Sequence, residues 1–384
     1  MRVARMRKHL HLLALLLSLH VAGAAELVLT SPRDFQVVQR ATPTKGTVRL
    51  VGQLSEDAPG DAVVETRLVG EKEDGAWRRV EAKVSGREIS GTLEAPAGGW
   101  WRLEVRVSHA GKVLATSGVE HVGVGEVFVV AGQSNSANHG EEKQVPQTGR
   151  VAAFDGKGWR LALDPQPGAS GGGGSFIPPL GDALVKQFDV PIGFVACGIG
   201  ATSVREWLPK GATFPNPPTL TGRVEQLADG QWASKGAAFE MFIARMKPLG
   251  PNGFRAVLWH QGESDANQKD PIRTLPSKLY RAHLGQLIRE SRRAIGWDAP
   301  WFVAQASYQV PGDEGSDDIR AAQASLWQDG LALPGPDSDA LKGDLRERNG
   351  QGVHFSGKGL REHAAKWAEK IAPWLDSTVR PSAK

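Results

Sequence analysis

After Gly125 the sequence alternates nearly continuous apolar runs with longer segments of helical pattern, and this alternation restricts the fold more than any other feature. The four apolar runs lie at 127–131, 190–197, 254–260 and 300–306. Strands that are covered on both faces have such continuous apolar sequences. The helical segments lie at 178–188, 235–249, 277–296, 316–328 and 356–375. The pattern predicts an α/β fold in which helices cover both faces of a parallel sheet.

The first part of the chain has a different pattern, without a helical period. Short segments alternate apolar and polar residues between Gly, Pro, Asp or Asn, as at 47–54, 62–70, 77–86, 89–96 and 100–109. Short strands at this spacing are typical of an all-β sandwich of about 100 residues. We therefore expect a small immunoglobulin-like β-sandwich at 26–123 and an α/β domain at 124–384.

The amino terminus has the composition of an export signal. Basic residues precede the apolar segment LHLLALLLSLHVAG, which is short for a membrane span, and small residues follow it. The pattern predicts a secretory signal peptide at 1–25, with an uncleaved anchor as the alternative. Its removal leaves a periplasmic or secreted protein without an integral membrane segment.

The charge balance argues against a nucleic-acid partner. The chain has 46 Lys and Arg against 42 Asp and Glu, and the signal peptide accounts for the excess through Arg2, Arg5, Arg7 and Lys8. The exported chain is close to neutral, so its net charge gives no reason to expect nucleic acid or an anionic surface as a partner. The one cysteine, Cys197, has no partner for an internal disulfide, so core packing must hold the fold.

In a parallel sheet of this kind, ligands bind at the carboxyl ends of the strands. The first apolar run ends in GQSN, where Gly132 permits a sharp turn and Ser134 follows two residues later. A serine there, with free backbone N–H groups around it, fits a nucleophile for acyl transfer. Position alone leaves two alternatives, because Ser134 is equally a turn serine that closes a buried strand.

The next strand ends carry small or polar residues. Gly200 has no side chain, so a backbone N–H here can approach a developing oxyanion, although a tight strand-to-helix turn explains the glycine equally well. The third run is followed by His260, Gln261 and Glu263, a polar cluster that is costly unless it is solvated or used. Gln261 can donate an N–H to an oxyanion, and Glu263 can orient a histidine. No metal site is predicted, because no second group of ligands stands at a suitable spacing.

A histidine near the end of the chain is the candidate general base. His354 lies in a loop just before the last helical segment. A base on a late loop that reaches back to a serine on the first strand's turn is the usual geometry of a serine hydrolase. His139 and His260 are the competing candidates for this role.

The glycine-rich segment ASGGGGS (169–175) is either a flexible linker or a mobile loop near the site. Its Ser170 also completes a G-x-S-x-G match at 168–172. A nucleophile elbow requires a strand before the serine, whereas the proline-containing LALDPQP stands here, so the match does not indicate a nucleophile.

Taken together, residues 124–375 resemble the SGNH (GDSL-type) hydrolases, and more closely their branch of sialate O-acetylesterases and carbohydrate esterase family 6. The resemblance rests on GQSN (132–135), GATSVREW (200–207), WHQGESD (259–265) and the HF that begins at His354. It implies a flavodoxin-like, three-layer α/β/α catalytic domain at 124–384, behind the β-sandwich. It also implies Ser134 as the nucleophile, His354 as the base, and an oxyanion hole of the Ser134 N–H, the N–H near Gly200 and the side chain of Gln261.

The acid of the expected triad departs from the family pattern. SGNH enzymes usually have an aspartate three residues before the histidine, and Gln351 stands there. In family 6 relatives the acid can be the glutamate of the QGE block, which favours Glu263 in this chain. A contribution from Asp344, or a Ser–His pair without an acid, is the alternative.

The resemblance implies an exported serine esterase that removes O-acetyl groups from an acetylated oligo- or polysaccharide, of the sialate or xylan type, without a cofactor. Two other classes are retained as alternatives, a general lipid or aryl esterase and a non-catalytic carbohydrate-binding protein on the same scaffold. Trp207 and Trp259 are candidates to stack on a sugar ring, although we favour core positions for both.

Overall fold

The computed structural model describes residues 25–70 and 75–380. The signal peptide predicted at 1–25 therefore lies, except for Ala25, outside the described residues. Within the described ranges, no helix combines the length and the apolar character that crossing a membrane requires.

The amino-terminal part of the chain folds into two β-sheets that pack on each other. Its strands are β1 (Leu27–Ser31), β2 (Gln36–Gln39), β3 (Lys45–Ala58), β4 (Val63–Val69), β5 (Arg78–Arg79), β6 (Glu81–Pro96), β7 (Gly98–His109) and β8 (Lys112–Gly132). One sheet has the order β1–β3–β6, and the other joins β4, β5, β7 and β2 to the first half of β8. Their inner faces meet in a core that includes Leu50, Ile89 and Val105. All-β elements thus precede the α/β part, as the sequence predicts.

The second half of the chain builds a mostly parallel central sheet. The remaining strands are β9 (Val151–Phe154), β10 (Trp159–Leu161), β11 (Ile192–Ala196), β12 (Thr213–Phe214), β13 (Val224–Gln226), β14 (Trp232–Ser234), β15 (Ala256–His260), β16 (Trp301–Gln305) and β17 (Leu333–Asp337). The central order is β10–β9–β11–β8–β15–β16–β17, in which β10 is antiparallel and the other neighbours are parallel. Strands β12, β14 and β13 form a separate small sheet.

Helices cover both faces of the central sheet. They are α1 (Ile177–Phe188), α2 (Ala237–Met246), α3 (Ser277–Ile295), α4 (Asp317–Gln328), the four-residue α5 (Glu347–Gly350) and α6 (Gly357–Val379). Alternate side chains of β8 point to opposite faces, as the two-residue period of a strand requires. Phe128 packs with residues of α1 and α6, and Val129 packs with residues of α2, α3 and α4. The predicted α/β architecture with a parallel sheet is confirmed.

Strand β8 belongs to both parts of the molecule. Its first half pairs with β7 and β2, and its second half lies between β11 and β15 at the centre of the parallel sheet. The strand runs without interruption through the boundary that the sequence predicts between residues 123 and 124. One strand therefore connects the β-rich part to the turn that carries Ser134.

Candidate active site

A cleft of about 540 Å³ lies at the carboxyl end of the parallel sheet. It is bordered by the segments that follow β8, β11 and β15 and by the loop before α6. Four of the site residues predicted from the sequence line this cleft: Ser134, Gly200, Glu263 and His354. The fifth, Gln261, is not among its lining residues. Four distant stretches of the sequence therefore meet at the edge where α/β sheets bind ligands.

Ser134 enters the cleft through a turn that only glycine permits. Gly132, the last residue of β8, has a φ of 126°, and a β-carbon there would collide with the carbonyl oxygen of His260. The N–H of Gln133 donates to that same oxygen at 2.9 Å, which holds the end of β8 against the end of β15. Ser134 then begins a single 3₁₀ turn and is 5% exposed. Among the described residues, its Oγ makes no hydrogen bond.

His354 has a carboxylate partner that the sequence analysis did not single out. Its Nδ1 lies 2.9 Å from Oε1 of Glu347, and its backbone N–H donates to the same oxygen at 3.3 Å. The N–H of Glu347 donates in turn to the carbonyl oxygen of His354 at 2.9 Å, so the two residues face each other across a short antiparallel bridge. Because Nδ1 is engaged by Glu347, Nε2 is the ring nitrogen that remains for a proton transfer.

Glu263, the acid expected from the sequence, has other partners in the structure. Its Oε1 lies 3.2 Å from Nε2 of His260 and accepts a hydrogen bond of 3.0 Å from Nδ2 of Asn135. Burial raises the pKa of Glu263. The charge and hydrogen bond of His260 and the amide of Asn135 together lower this pKa by more than burial raises it, so the net pKa lies below the usual range. Glu263 therefore carries its charge in the floor of the cleft, beside His260 rather than in a hydrogen bond to His354.

The other acid considered for the triad lies at the surface. Asp344 is exposed and pairs with Lys358, its Oδ2 lying 2.6 Å from Nζ. Gln351, at the position of the usual SGNH aspartate, is also exposed, and its N–H donates to the carbonyl oxygen of Arg348. Neither side chain lines the cleft.

The loop that carries His354 is held from both sides. Nδ2 of Asn135 donates to the carbonyl oxygen of Val353 at 3.2 Å, and Nη1 of Arg346 donates to the same oxygen at 2.8 Å. The buried Arg346 guanidinium also stacks over the ring of Phe355, with 4.4 Å to the ring centroid. Burial lowers the pKa of Arg346 to about 10. Asn135, next to the nucleophile candidate, thus links Glu263 to the histidine loop.

The competing histidines occupy different positions. His260 is buried, with Nδ1 lying 3.1 Å from Nε2 of His363 and Nε2 facing Glu263, so both ring nitrogens are engaged away from the cleft. His139 lines the cleft, and its ring centroid lies 5.4 Å from that of His354. Burial, and secondarily the charge of His354, lowers the pKa of His139, which favours the neutral imidazole.

Ser170 is a cleft residue that the sequence analysis set aside. Its Oγ accepts the N–H of Gly200 at 2.7 Å and lies 3.1 Å from Nε2 of His139. The glycine-rich segment 169–175 therefore passes the site as a loop rather than as a linker between domains. The N–H of Gly200, which is expected as an oxyanion donor, faces the cleft but donates to the hydroxyl of Ser170.

The expected oxyanion donor Gln261 is fully buried. Its Nε2 donates to Oδ2 of Asp265 at 2.7 Å and to the carbonyl oxygen of Thr202 at 3.1 Å, and its Oε1 accepts from the hydroxyl of Tyr280. A third bond from this Nε2, of 3.2 Å, reaches Oε1 of Gln133. The amide of Gln261 supports the cleft from behind instead of facing it.

Gln133 presents an amide to the cleft. Its Oε1 accepts from Gln261 and from the N–H of Ser264 at 3.0 Å, which fixes the orientation of the side chain. In the described part of the chain, its Nε2 makes no hydrogen bond, and Gln133 lines the cleft beside Ser134. The motif GQSN contained this signal, because Gln133 is adjacent to the candidate nucleophile.

Trp207 and Trp259 are fully buried and pack edge to face with ring centroids 5.3 Å apart. They are core residues and offer no face to a sugar ring. Within the ranges that the structure describes, no cluster of three or more His, Cys, Asp or Glu side chains forms a metal-binding group.

Comparison with known proteins defines the family. Residues 124–372 match the protein family described as carbohydrate esterase, sialic acid-specific acetylesterase, which is more than half of the chain. No curated protein sequence matches the chain.

Solved structures match the chain at low sequence identity. A carbohydrate acetylesterase from Xanthomonas citri is 19% identical with a TM-score of 0.51, over 89% of this chain and 74% of that one. An Arabidopsis thaliana protein is also 19% identical, with a TM-score of 0.44 over 65% of this chain and 98% of that one. A carbohydrate esterase family 2 enzyme with a carbohydrate-binding domain, from Corynascus thermopiles (Myceliophthora fergusii), is 12% identical with a TM-score of 0.36. The match covers 91% of this chain and 99% of that one.

The α/β fold and the family match together define the class, a carboxylic ester hydrolase of the carbohydrate O-acetylesterase kind. Within that class, the chain belongs to the family of carbohydrate esterases described as sialic acid-specific acetylesterases. The resemblance found in the sequence motifs is confirmed at the level of the family.

Proposed function

We propose that this carbohydrate esterase is an exported serine enzyme that removes O-acetyl groups from an acetylated oligo- or polysaccharide through an acetyl-serine intermediate. The observation that carries the proposal is the 2.9 Å contact between Nδ1 of His354 and Glu347, in the same cleft that Ser134 lines. Export rests on the composition of residues 1–25. The catalytic part is of the SGNH type in this proposal, supported by the position of Ser134 after the central strand β8.

In the proposed reaction, Nε2 of His354 takes the proton of Ser134 while Oγ attacks the acetyl carbonyl carbon. The carbonyl oxygen becomes an oxyanion, which collapses and expels the sugar oxygen, and His354 returns the proton to that leaving group. His354 then deprotonates a water molecule that attacks the acetyl-enzyme, so acetate leaves and Ser134 regains its proton. Glu347 holds the ring by Nδ1 and stabilises the imidazolium that forms in each half of the reaction.

The oxyanion hole in this proposal consists of the N–H of Ser134, the N–H of Gly200 and the side chain of Gln133. Gln133 replaces the Gln261 expected from the sequence, because the amide of Gln261 is engaged by Asp265 and Thr202. The Gly200 N–H lies under the hydroxyl of Ser170, which either moves aside or presents its own O–H when the oxyanion forms. Fixed donors of this kind are worth several kcal/mol in the transition state.

Glu263 has a supporting role in the proposal. Its charge holds the amide of Asn135, and through it the carbonyl oxygen of Val353 beside the catalytic histidine. The polar side chains that line the cleft, among them Arg223, Gln268 and Gln309, favour a carbohydrate over a lipid or aryl ester. A non-catalytic binding protein would be expected if no carboxylate replaced the aspartate that is missing at Gln351, and Glu347 supplies that carboxylate in this proposal.

The test is acetate release from 4-nitrophenyl acetate, acetylated xylan and O-acetylated sialic acid by the wild type and by single variants. Ser134→Ala is expected to lower kcat about a thousandfold or more. Glu347→Gln is expected to lower kcat by roughly a hundredfold to ten-thousandfold, because the imidazolium loses its carboxylate. Glu263→Gln is expected to cost less than Glu347→Gln. The preference between acetylated xylan and O-acetylated sialic acid shows which type of sugar the enzyme serves.

Asp344→Asn is the matched control, because Asp344 lies three residues from Glu347 but points to the surface. We expect wild-type turnover from it. A larger loss of kcat in Glu263→Gln than in Glu347→Gln would mean that Glu263, and not Glu347, is the acid of the triad. Acetate release that persists in Ser134→Ala contradicts the serine mechanism altogether.

A further inference from the structure

A second and larger groove, of about 1370 Å³, lies away from the active-site cleft. It is bounded by β2 and β3 of the β-rich part and by the segments that lead into β15 and β16. Arg255 immediately precedes β15, whereas Glu263 follows the other end of that strand. The groove therefore opens at the amino edge of the parallel sheet, opposite to the carboxyl edge that carries Ser134.

The groove is strongly basic although the exported chain is close to neutral. Among the described residues, one acidic side chain, Asp298, lines it, against six basic ones: Arg33, Arg40, Arg49, Lys157, Lys247 and Arg255. Lys157 and Lys247 are exposed, and neither forms an ion pair with a described residue. Net charge averages over the whole surface, so it does not reveal a local positive field of this kind.

The floor of the groove contains a buried cation with an unused donor. The carboxylate of Glu126 accepts from Nε of Arg40 at 2.5 Å and from Nε of Arg255 at 2.6 Å, so two guanidinium groups share one negative charge. Arg40 is 4% exposed, and its Nη2 has no hydrogen-bond partner in the described chain. Arg40 and Arg255 thus place more positive than negative charge beneath the groove, which adds to the field of the exposed lysines above it.

The walls of the groove include aromatic surface. The partly exposed rings of Trp159, Trp297 and Trp374 line it between the basic side chains. Apolar rings with a few placed charges are the usual lining of a site for a ligand that has both apolar faces and polar groups. Sugar rings that carry carboxylate or sulfate groups have this composition.

We propose that the groove binds an acidic polysaccharide, with its carboxylate or sulfate groups on Lys157 and Lys247 and the buried positive charge of Arg40 and Arg255 beneath them. This goes beyond the proposed esterase activity, because it assigns a second carbohydrate site at the junction of the β-rich part and the central sheet. The enzyme thereby holds an acidic polymer at one edge of the sheet while the cleft at the other edge removes acetyl groups. An acidic glycan is favoured over nucleic acid because the chain is a carbohydrate esterase.

The proposal is tested by affinity gel electrophoresis of the full protein in polygalacturonate, dextran sulfate and neutral dextran. We expect retardation in one or both acidic polymers and none in neutral dextran, with binding that weakens as salt rises. Lys157→Gln combined with Lys247→Gln is expected to weaken binding at least about tenfold while 4-nitrophenyl acetate turnover stays at the wild-type level. Polygalacturonate and dextran sulfate distinguish carboxylate from sulfate as the recognised group.

Lys186→Gln combined with Lys278→Gln is the matched control, because both lysines are exposed on helices α1 and α3 outside the groove. Equal losses in both lysine pairs, no retardation in either acidic polymer, or stronger retention by DNA than by both polymers would overturn the proposal. Since turnover of the small ester is measured separately, a failure here is distinct from a failure of the esterase assignment.

Discussion

Glu347 and His354 meet because the chain reverses direction between them. Arg348, Asn349 and Gly350 have φ values of 54°, 55° and 88°, so three successive residues adopt the left-handed conformation. Glycine and asparagine tolerate that conformation, whereas arginine does so at a cost. The reversal brings the acid back against a base that lies seven positions further along the chain.

Gly352 makes room for the acid in this reversal. A β-carbon at position 352 would overlap Cγ of Glu347, so Gly352→Ala is expected to push the Glu347 side chain away from His354. We predict that kcat on 4-nitrophenyl acetate falls tenfold or more, because the imidazolium loses its oriented carboxylate. The loss should not exceed that of Glu347→Gln, and steady-state kinetics of the two variants check this relation.

Gly60→Ala is the control for the glycine substitution, since a β-carbon at position 60 meets no atom within 4 Å. We expect wild-type kcat from it. If Gly352→Ala keeps full activity while Glu347→Gln loses it, the carboxylate tolerates displacement and Gly352 has no part in positioning it.

At the level of single residues, the sequence predicted the members of the cleft better than their partners. Ser134, Gly200, Glu263 and His354 line one cleft because each lies just after a strand end or just before a helix that the pattern reveals. Glu347 was not predictable, because its contact depends on left-handed residues that leave no periodic signal. The burial of Gln261 was likewise hidden, since the direction of a side chain just beyond a strand end depends on the local turn.

The short element after β11 shows why a polar motif need not be a reactive one. In GATSVREW, Ser203 caps a 3₁₀ turn at Val204–Trp207, and its Oγ contacts Oδ1 of Asp265 at 2.5 Å. Asp265 also accepts the N–H of Val204 at 2.9 Å. Glu206 closes the capping box by accepting the N–H of Ser203 at 2.8 Å. These polar side chains are buried to fix the wall of the cleft.

Glu206 makes the stability of this element depend on pH. Burial raises the pKa of Glu206 to about 7, although the N–H of Ser203 and the charge of Arg223 oppose the shift. Because the folded-state pKa is raised, this group stabilises the fold most at acidic pH, and that stabilisation is lost as pH rises through 7. We predict that the free energy of unfolding of Glu206→Gln, relative to wild type, increases by about 2 kcal/mol between pH 5 and pH 8.

Urea unfolding of both proteins at the two pH values measures this difference, and Glu240→Gln, which changes an exposed glutamate on α2, serves as the control. A difference between Glu206→Gln and wild type that stays constant with pH would mean that Glu206 titrates as an ordinary carboxyl group.

Among the elements, the apolar runs predicted from the sequence correspond to the centre of the sheet. The runs at 190–197, 254–260 and 300–306 contain β11, β15 and β16. Strand β17, Leu333–Asp337, was missed because its sequence LPGPD has two prolines and a glycine, which argue against a strand. It lies at the edge of the sheet, where a missing N–H donor is tolerated.

At the scale of the whole molecule, β8 joins the β-rich part to the α/β part more closely than the sequence indicated. The change of pattern near residue 124 falls within this single strand, because alternation gives way there to burial on both faces. Glu126 lies just beyond that point and pairs with Arg40 from the β-rich part and Arg255 from the central sheet. A shared strand and a shared buried carboxylate couple the two parts energetically.

We therefore predict that the wild type unfolds in one cooperative transition, and that Glu126→Gln lowers the free energy of unfolding by about 3–5 kcal/mol, because two guanidinium groups are left around a neutral amide. With this link weakened, the β-rich part should unfold at a lower denaturant concentration than the cleft, so circular dichroism and loss of esterase activity should no longer coincide. Glu120→Gln changes an exposed glutamate of the same strand and should keep the coincident wild-type transition. If the two transitions also coincide in Glu126→Gln, the continuous backbone of β8 alone couples the two parts. If the two transitions are already separate in the wild type, the shared strand does not couple them.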